Sequence, residues 1–207
     1  MRCVQVSAHY LTATCWGKKK DTLRLIDSYS VLDKCAQEVS HTGDVIFVPC
    51  LGGLFAPHWR PDARGTMLGL SLHTSRGHIV RAALEGIALQ TADVLDAIRS
   101  DTAPLLLETL KADGGLTASR VLLEYQARVA GVDVWLKEGH TEATALGAAR
   151  AAALADGLVA YSHCVSEGKN PEAWQVFTAD WSEQERMRVL ERWRAAILRA
   201  LPLASKQ

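Results

Sequence analysis

The sequence has no CxxC pair, no apolar run of membrane-spanning length and no surplus of either charge, and each absence closes a class of function. Its five cysteines, at positions 3, 15, 35, 50 and 164, are odd in number and widely spaced. That pattern speaks against a disulfide framework and against a zinc site, and the thiols read as reduced, mostly buried small hydrophobes. Lys plus Arg balances Asp plus Glu at 23 each, so no net field draws the chain to nucleic acid or to an anionic bilayer. The opening "MRCVQVSAHYLTATCW" is too interrupted by polar residues for a signal peptide, and a soluble cytoplasmic protein is expected. Aromatic residues make up 6% of the chain. Trp59, Trp135, Trp174, Trp181 and Trp193 lack the interleaved basic patch of a nucleic-acid surface and read mainly as packing residues. Neither GxxxxGK[ST] nor a GxGxxG following a strand is present, which excludes P-loop and Rossmann readings, and no Ser-His-Asp set stands on a nucleophile elbow.

What is present is an ordinary globular composition, 48% hydrophobic and 22% charged over 207 residues, enough for one domain with a real core. Val4, Val6, Ala8 and Tyr10 alternate with polar residues as a weak strand. "TLRLIDSYSVLDKCAQEV" puts Leu25, Tyr29, Leu32 and Cys35 on one helical face, "VIFVP" reads as a buried strand, and a Gly/Pro loop runs from Cys50 to Gly65 before the short strand "GTMLGLSL". From Arg76 a long helix carries Val80, Leu84, Ile87, Thr91, Leu95 and Ile98 on one stripe, with Ile79, Ala83, Gly86 and Val94 opposite. A helix apolar on two sides belongs between two layers. Then strand and helix alternate: "PLLLETLKAD", "LTASRVLLEYQARVA", "VDVWLK" and "EATALGAARAAALAD" ending at Gly157, which predicts parallel strands joined by crossover helices. A last helix begins at a capping box, Ser182 with Glu185, and buries Val189, Trp193, Ile197 and Leu201.

Asp113-Gly114-Gly115 falls where a parallel strand ends and a helix begins, the position at which open α/β sheets bind ligands. Glycine there permits positive φ and lets a flat ring or phosphate approach without a Cβ in the way, while free helix N–H groups favour negative charge. With Ala118, Leu122, Tyr125 and Val129 as the helix's inward stripe, the outer turn near Ser119 is expected to face a ligand. Paired glycines also serve simply to make a tight strand-to-helix turn. His58 with Asp62, and His73 with His78, offer no third ligand on one face for a metal; Arg60, Asp62 and Arg64 are expected to pair within their loop. The small residues of "ATALGAARAAALA" let that helix lie close on the sheet, and Glu142 and Thr144, where it begins, are candidates for the nucleotide side.

"FVPCLGGLFAPHWRPDARGTMLGLSLHTSRGHIVRAALEGIALQTADVLDAI" closely resembles the carboxy-terminal domain of the FGGY carbohydrate kinase family. Gly65, Met67, Gly69, Leu70, His78, Ile79, Ala82, Ala83, Leu84 and Glu85 fill its signature. "ADGGLTAS" resembles the family's adenosine motif and "ATALGAA" the segment that follows it. The loop "APHWRPDARG" and the Asp-Gly-Gly look like the glycerol kinases more than the xylulokinases.

The resemblance implies an α/β, actin-like ATPase (ribonuclease-H-like) lobe with parallel strands and crossover helices, lacking its opening antiparallel strands. Residues 23–201 would form the partial domain, 1–22 a divergent segment and 202–207 a tail. It implies that Gly115 lies against bound ATP or ADP with Gly114 supporting it and Asp113 holding the turn, and that Ser119 stands where the family commonly has Asn. ATP with Mg2+ and glycerol would be the ligands of the complete two-lobe enzyme. The general-base Asp would lie in the other lobe, so no catalytic residue is assigned here and the isolated chain is expected to be inactive. Two further readings are a non-catalytic, kinase-like interaction protein that self-associates or pairs with a full-length kinase, and another sugar kinase such as a xylulokinase.

Overall fold

A computed structural model describes residues 3–5, 25–26, 28–103, 107–137, 143–158 and 174–201. The described strands are β1 (Cys3–Gln5), β2 (Ile46–Val48), β3 (Thr66–Leu68), β4 (Thr109–Ala112), β5 (Asp133–Lys137) and β6 (Trp174–Phe177). The helices are α1 (Leu32–Gln37), α2 (Arg76–Thr102), α3 (Arg120–Ala130), α4 (Ala143–Ala155) and α5 (Glu183–Ala200). One sheet has the order β1-β4-β5-β6. β1 and β5 flank β4 in parallel, Leu110 pairing with both Val4 and Val134. The predicted crossover stands: β4, α3 and β5 form a βαβ unit. The last strand departs from the parallel expectation, since β6 runs antiparallel to β5 with Trp135 opposite Val176. No periodicity in "WQVF" distinguishes a short edge strand from loop, and Trp174 reads from sequence only as a packing residue. β2 and β3 form a separate antiparallel pair.

β1 lies inside the segment that the sequence sets apart as divergent, and it is a member of the main sheet. The rest of residues 1–22, with the basic run at 18–20, lies outside the described residues, as do Glu142 and the tail 202–207. The helix predicted across 22–39 is shorter: a 3-10 turn at Tyr29–Val31 leads into α1, whose Leu32 and Cys35 are buried as their spacing predicts. Cys35 and Cys50 are both free and buried, and desolvation pushes both thiols up from their ordinary pKa.

Two hydrophobic clusters share α3. Leu122, Tyr125 and Val129 join α1, β2, α2 and α5 in the larger one; Leu123, Ala127 and Ala130 pack with Leu110, Val134 and Phe177 of the sheet in the other. α3 therefore buries two faces, not the single predicted stripe, and Ala118 at the head of that stripe is exposed. α5 starts at the predicted capping box, Glu185 N–H donating to Ser182 Oγ at 3.3 Å and Ser182 N–H to Glu185 Oε2 at 2.8 Å. It buries Trp193 and Ile197. α4 ends at Gly157, which takes φ +69°, but its side chains from Ala145 to Ala155 are largely exposed, against the expectation that it lies close on the sheet.

α2 sits between layers as its double apolar face requires, and Gly86 sets how close it comes to β2. A Cβ built there would overlap the Phe47 carbonyl oxygen and meet Pro49 Cδ at 3.3 Å. Alanine is the better helix former by about 1 kcal/mol, yet backbone carbonyls do not rotate aside as side chains do. Gly86→Ala is expected to lower stability by about 2 kcal/mol, read as a shift in urea midpoint at unchanged m-value.

Candidate functional site

β4 ends at Ala112, and the chain then turns through Asp113, Gly114 and Gly115 at the carboxyl end of a parallel strand, where the sequence places it. The two glycines have separate reasons. Gly114 is buried and adopts φ +96°, ψ 172°, a region open to glycine almost alone. Gly115 is exposed, and a Cβ built on it meets nothing within 4 Å. The first is needed by the backbone; the second leaves an open face beside the strand tip. Asp113 is half-buried directly before them.

Gly115–Ala118 is a 3-10 turn and not the first turn of the helix. It is closed by Thr117 N–H and Thr117 Oγ1, both donating to Gly114 O at 3.1 and 2.6 Å, and by Ser119 N–H donating to Leu116 O at 3.0 Å. α3 begins only after it, and Ser119 is its N-cap, accepting from Leu122 N–H at 3.2 Å. The Ser119 hydroxyl is buried and donates to Asp33 Oδ1. Asp33 Oδ2 accepts from Arg120 N–H at 2.7 Å and from Val121 N–H at 3.3 Å.

The N–H groups expected to be free at this helix end are met within the protein, by Asp33. A carboxylate 86 residues upstream of Ser119 already occupies that helix end. The physical reason is that orphan N–H groups and the helix dipole attract the nearest anion, and α1 supplies one within the protein. Asp33 was invisible to sequence reasoning because its partner is distant in the chain; the one local hint is an acidic residue on the first turn of a short amphipathic helix.

The other candidates resolve as loop and helix structure. Arg60 Nε and Nη2 donate to the two oxygens of Asp62 at 2.8 and 2.6 Å, as predicted, and hold the Asp62 carboxyl below the usual carboxylate range. Arg64 Nη1 donates to the carbonyls of Pro61 and Ala63. His58 Nε2 lies 2.9 Å from Asp93 Oδ2, which also accepts from Trp193 Nε1 at 2.7 Å, so this histidine ties the loop to α2 and α5. His78 accepts from Ser75 N–H at 3.0 Å and caps α2. Among the described residues no group of three His, Cys, Asp or Glu is placed to hold a metal, and no helix is long and apolar enough to cross a membrane. Trp59 departs from its packing role, being 70% exposed on the loop.

Residues 3–155 match the model of the "FGGY family of carbohydrate kinases, C-terminal domain". The chain belongs to this family. Within it, the chain is 42% identical over 178 residues to the glycerol kinase of Clavibacter michiganensis subsp. michiganensis, covering 86% of this chain and 34% of that one. The crystal structure of Plasmodium falciparum glycerol kinase with ADP superposes with a TM-score of 0.75 at 32% identity, over 93% of this chain and 37% of that one. Xylulose kinase from Bifidobacterium adolescentis superposes with a TM-score of 0.56 at 26% identity, over 84% of this chain and 34% of that one. The fold is the actin-like ATPase lobe of the FGGY kinases, and the chain spans about a third of the length of the relatives it matches.

The Asp33 clasp is testable without any ligand. Asp33→Ala strands the Ser119 hydroxyl and two backbone N–H groups, and a loss of about 2 kcal/mol is expected in chemical denaturation. Asp33→Asn, which keeps an acceptor, should lose about half as much. Equal stability of all three proteins would show that the clasp contributes nothing.

Proposed function

We propose that the chain is the nucleotide-side lobe of an ATP-dependent glycerol kinase, working in the cytoplasm and built on a core domain of about residues 23–201 with β1 added to its sheet. The open face over Gly115 carries the reading: it is a bare, exposed backbone at the carboxyl end of a parallel strand, inside a motif whose neighbours are closed by their own hydrogen bonds. A planar adenine ring can rest on a peptide that has no side chain above it. Gly114 supports that surface, Asp113 holds the turn, and Ser119 acts from below by fixing the start of α3. The naming of the relatives as glycerol kinases, and the ADP named with the Plasmodium falciparum structure, support the substrate and nucleotide assignments.

Transfer of the γ-phosphoryl group to a glycerol hydroxyl requires an in-line nucleophile, a base and neutralisation of phosphate charge in one geometry. We assign the base and the glycerol contacts to the part of the relatives' fold that this chain does not match. Mg2+ would supply charge neutralisation on the phosphates, but no group of three His, Cys, Asp or Glu among the described residues fits a resident metal. The glycerol assignment over xylulose rests on the Asp-Gly-Gly turn, the "APHWRPDARG" loop and the higher similarity to glycerol kinases.

A second reading, a kinase-like interaction protein, is favoured by α4, which exposes Leu146 and Leu154 on an otherwise small-residue helix, with Leu158 76% exposed just beyond it. Such a face suits a packed neighbour. Gel filtration with a full-length glycerol kinase separates the two: a stable heteromer that ignores ATP supports the second reading and removes the first.

For the leading reading, Gly115→Val is expected to leave stability within about 0.5 kcal/mol, since the site is open. Calorimetric titration should show at least about a tenfold loss of ADP affinity, as the isopropyl group takes the ring's place. Wild-type affinity in that variant would remove the nucleotide from this turn. In a coupled assay the 207-residue chain is expected to form no glycerol phosphate from ATP and glycerol; steady turnover would show that the catalytic groups lie within it.

A further inference from the structure

At the far end of α3 from Gly115, a cavity of about 300 Å³ opens between α2, α3, α5 and the segment leading into β2. Phe47 and Leu89 form part of its apolar floor. Tyr125 and Trp181 make an aromatic wall, their rings edge to face with centroids 5.4 Å apart. The polar groups at depth are satisfied internally. Arg81 Nε donates to Glu85 Oε1 at 3.0 Å and Arg81 Nη1 to Val39 O at 3.0 Å. Burial pushes the Glu85 carboxyl above, and the Tyr125 hydroxyl well above, their ordinary values; Arg81 opposes the first shift and the Glu85 charge adds to the second.

The mouth is different. Arg192 and Arg128 line it, and each is held by an acidic residue outside the cavity: Arg192 Nη2 by Asp44 Oδ1 at 3.0 Å, and Arg128 by both oxygens of Asp180 at 2.8 and 3.1 Å. In the Arg192–Asp44 pair the side chains are 52% and 84% exposed, so the pair contributes little and an incoming anion can replace Asp44 at small cost. A volume of this size takes one ring and a short chain, and mixed lining with a few convergent polar groups is the ordinary chemistry of a small-molecule site.

We propose that this cavity is a second ligand site, separate from the Gly114–Gly115 turn, that takes a small carboxylate with an aromatic body. The ring lies against Tyr125 and Trp181, and the carboxylate sits at the mouth on Arg192 and Arg128. Glu85, already paired with Arg81, excludes a second carboxylate from the floor and so sets the ligand's direction. The assignment is independent of the nucleotide reading, because no residue of the Gly-Gly turn lines the cavity.

The test titrates the 207-residue chain with phenylpropionate and, as an uncharged isostere, phenylpropanamide, following the Trp181 indole by NMR. The acid is expected to bind saturably with a dissociation constant below about 1 mM, and the amide about tenfold more weakly. Arg192→Gln should weaken the acid about tenfold and leave the amide unchanged, whereas Asp44→Asn, by releasing Arg192, should tighten the acid several-fold. Ser40→Trp, at a residue that lines the cavity and is itself exposed, should abolish both. Equal binding of acid and amide, indifference of the acid to both charge variants, or no saturable binding of the acid each overturns the proposal. If Arg192→Gln does not fold, the Asp44→Asn arm decides alone.

Discussion

A helix buried on both faces must find partners for its orphan N–H groups inside the protein, and for α3 the Asp33 carboxylate is that partner. Ser119 at this end is buried, and an unsatisfied buried polar group costs about 1–3 kcal/mol. Asp33 accepts from two backbone N–H groups and from the Ser119 hydroxyl, which itself accepts from the next turn. The result joins α1 to α3 and fixes where α3 starts. Because β4 also fixes where the strand stops, the five residues from Asp113 to Thr117 have little choice of path, and Gly114 takes a conformation that other residues avoid.

This arrangement divides the roles at the turn. The positive end of the α3 dipole is already neutralised, so the surface over Gly115 is flat, uncharged peptide and not an anion-binding helix end. The ring of a nucleotide suits that surface better than its phosphates do. The loop from Cys50 to Gly65 is stiffened in the same economical manner, by the Arg60–Asp62 fork within it and by the His58–Asp93–Trp193 contact beneath it.

Much of this was legible in the residues. Apolar spacing placed α2 and α5, the Ser182–Glu185 pair marked the start of α5, and paired glycines after an apolar run located the turn. These signals are local: periodicity and capping act over a few residues, so they survive in one dimension. Less was legible where short elements depend on neighbours. α1 proved far shorter than its pattern, β6 carried no strand signal, and the first turn of the expected α3 became a 3-10 turn.

By itself the sequence determined the places of the long helices, the balance of charge, the position of the Gly-Gly turn and the family signature, because each is written in residue types at fixed spacing. Tertiary structure decided which groups at that turn remain available. Asp33 and Ser119 are 86 residues apart and meet only once α1 packs on α3; Arg81, Glu85, Tyr125 and Trp181 surround a cavity only once three helices converge. Proximity across such distances follows from packing, which no local pattern encodes.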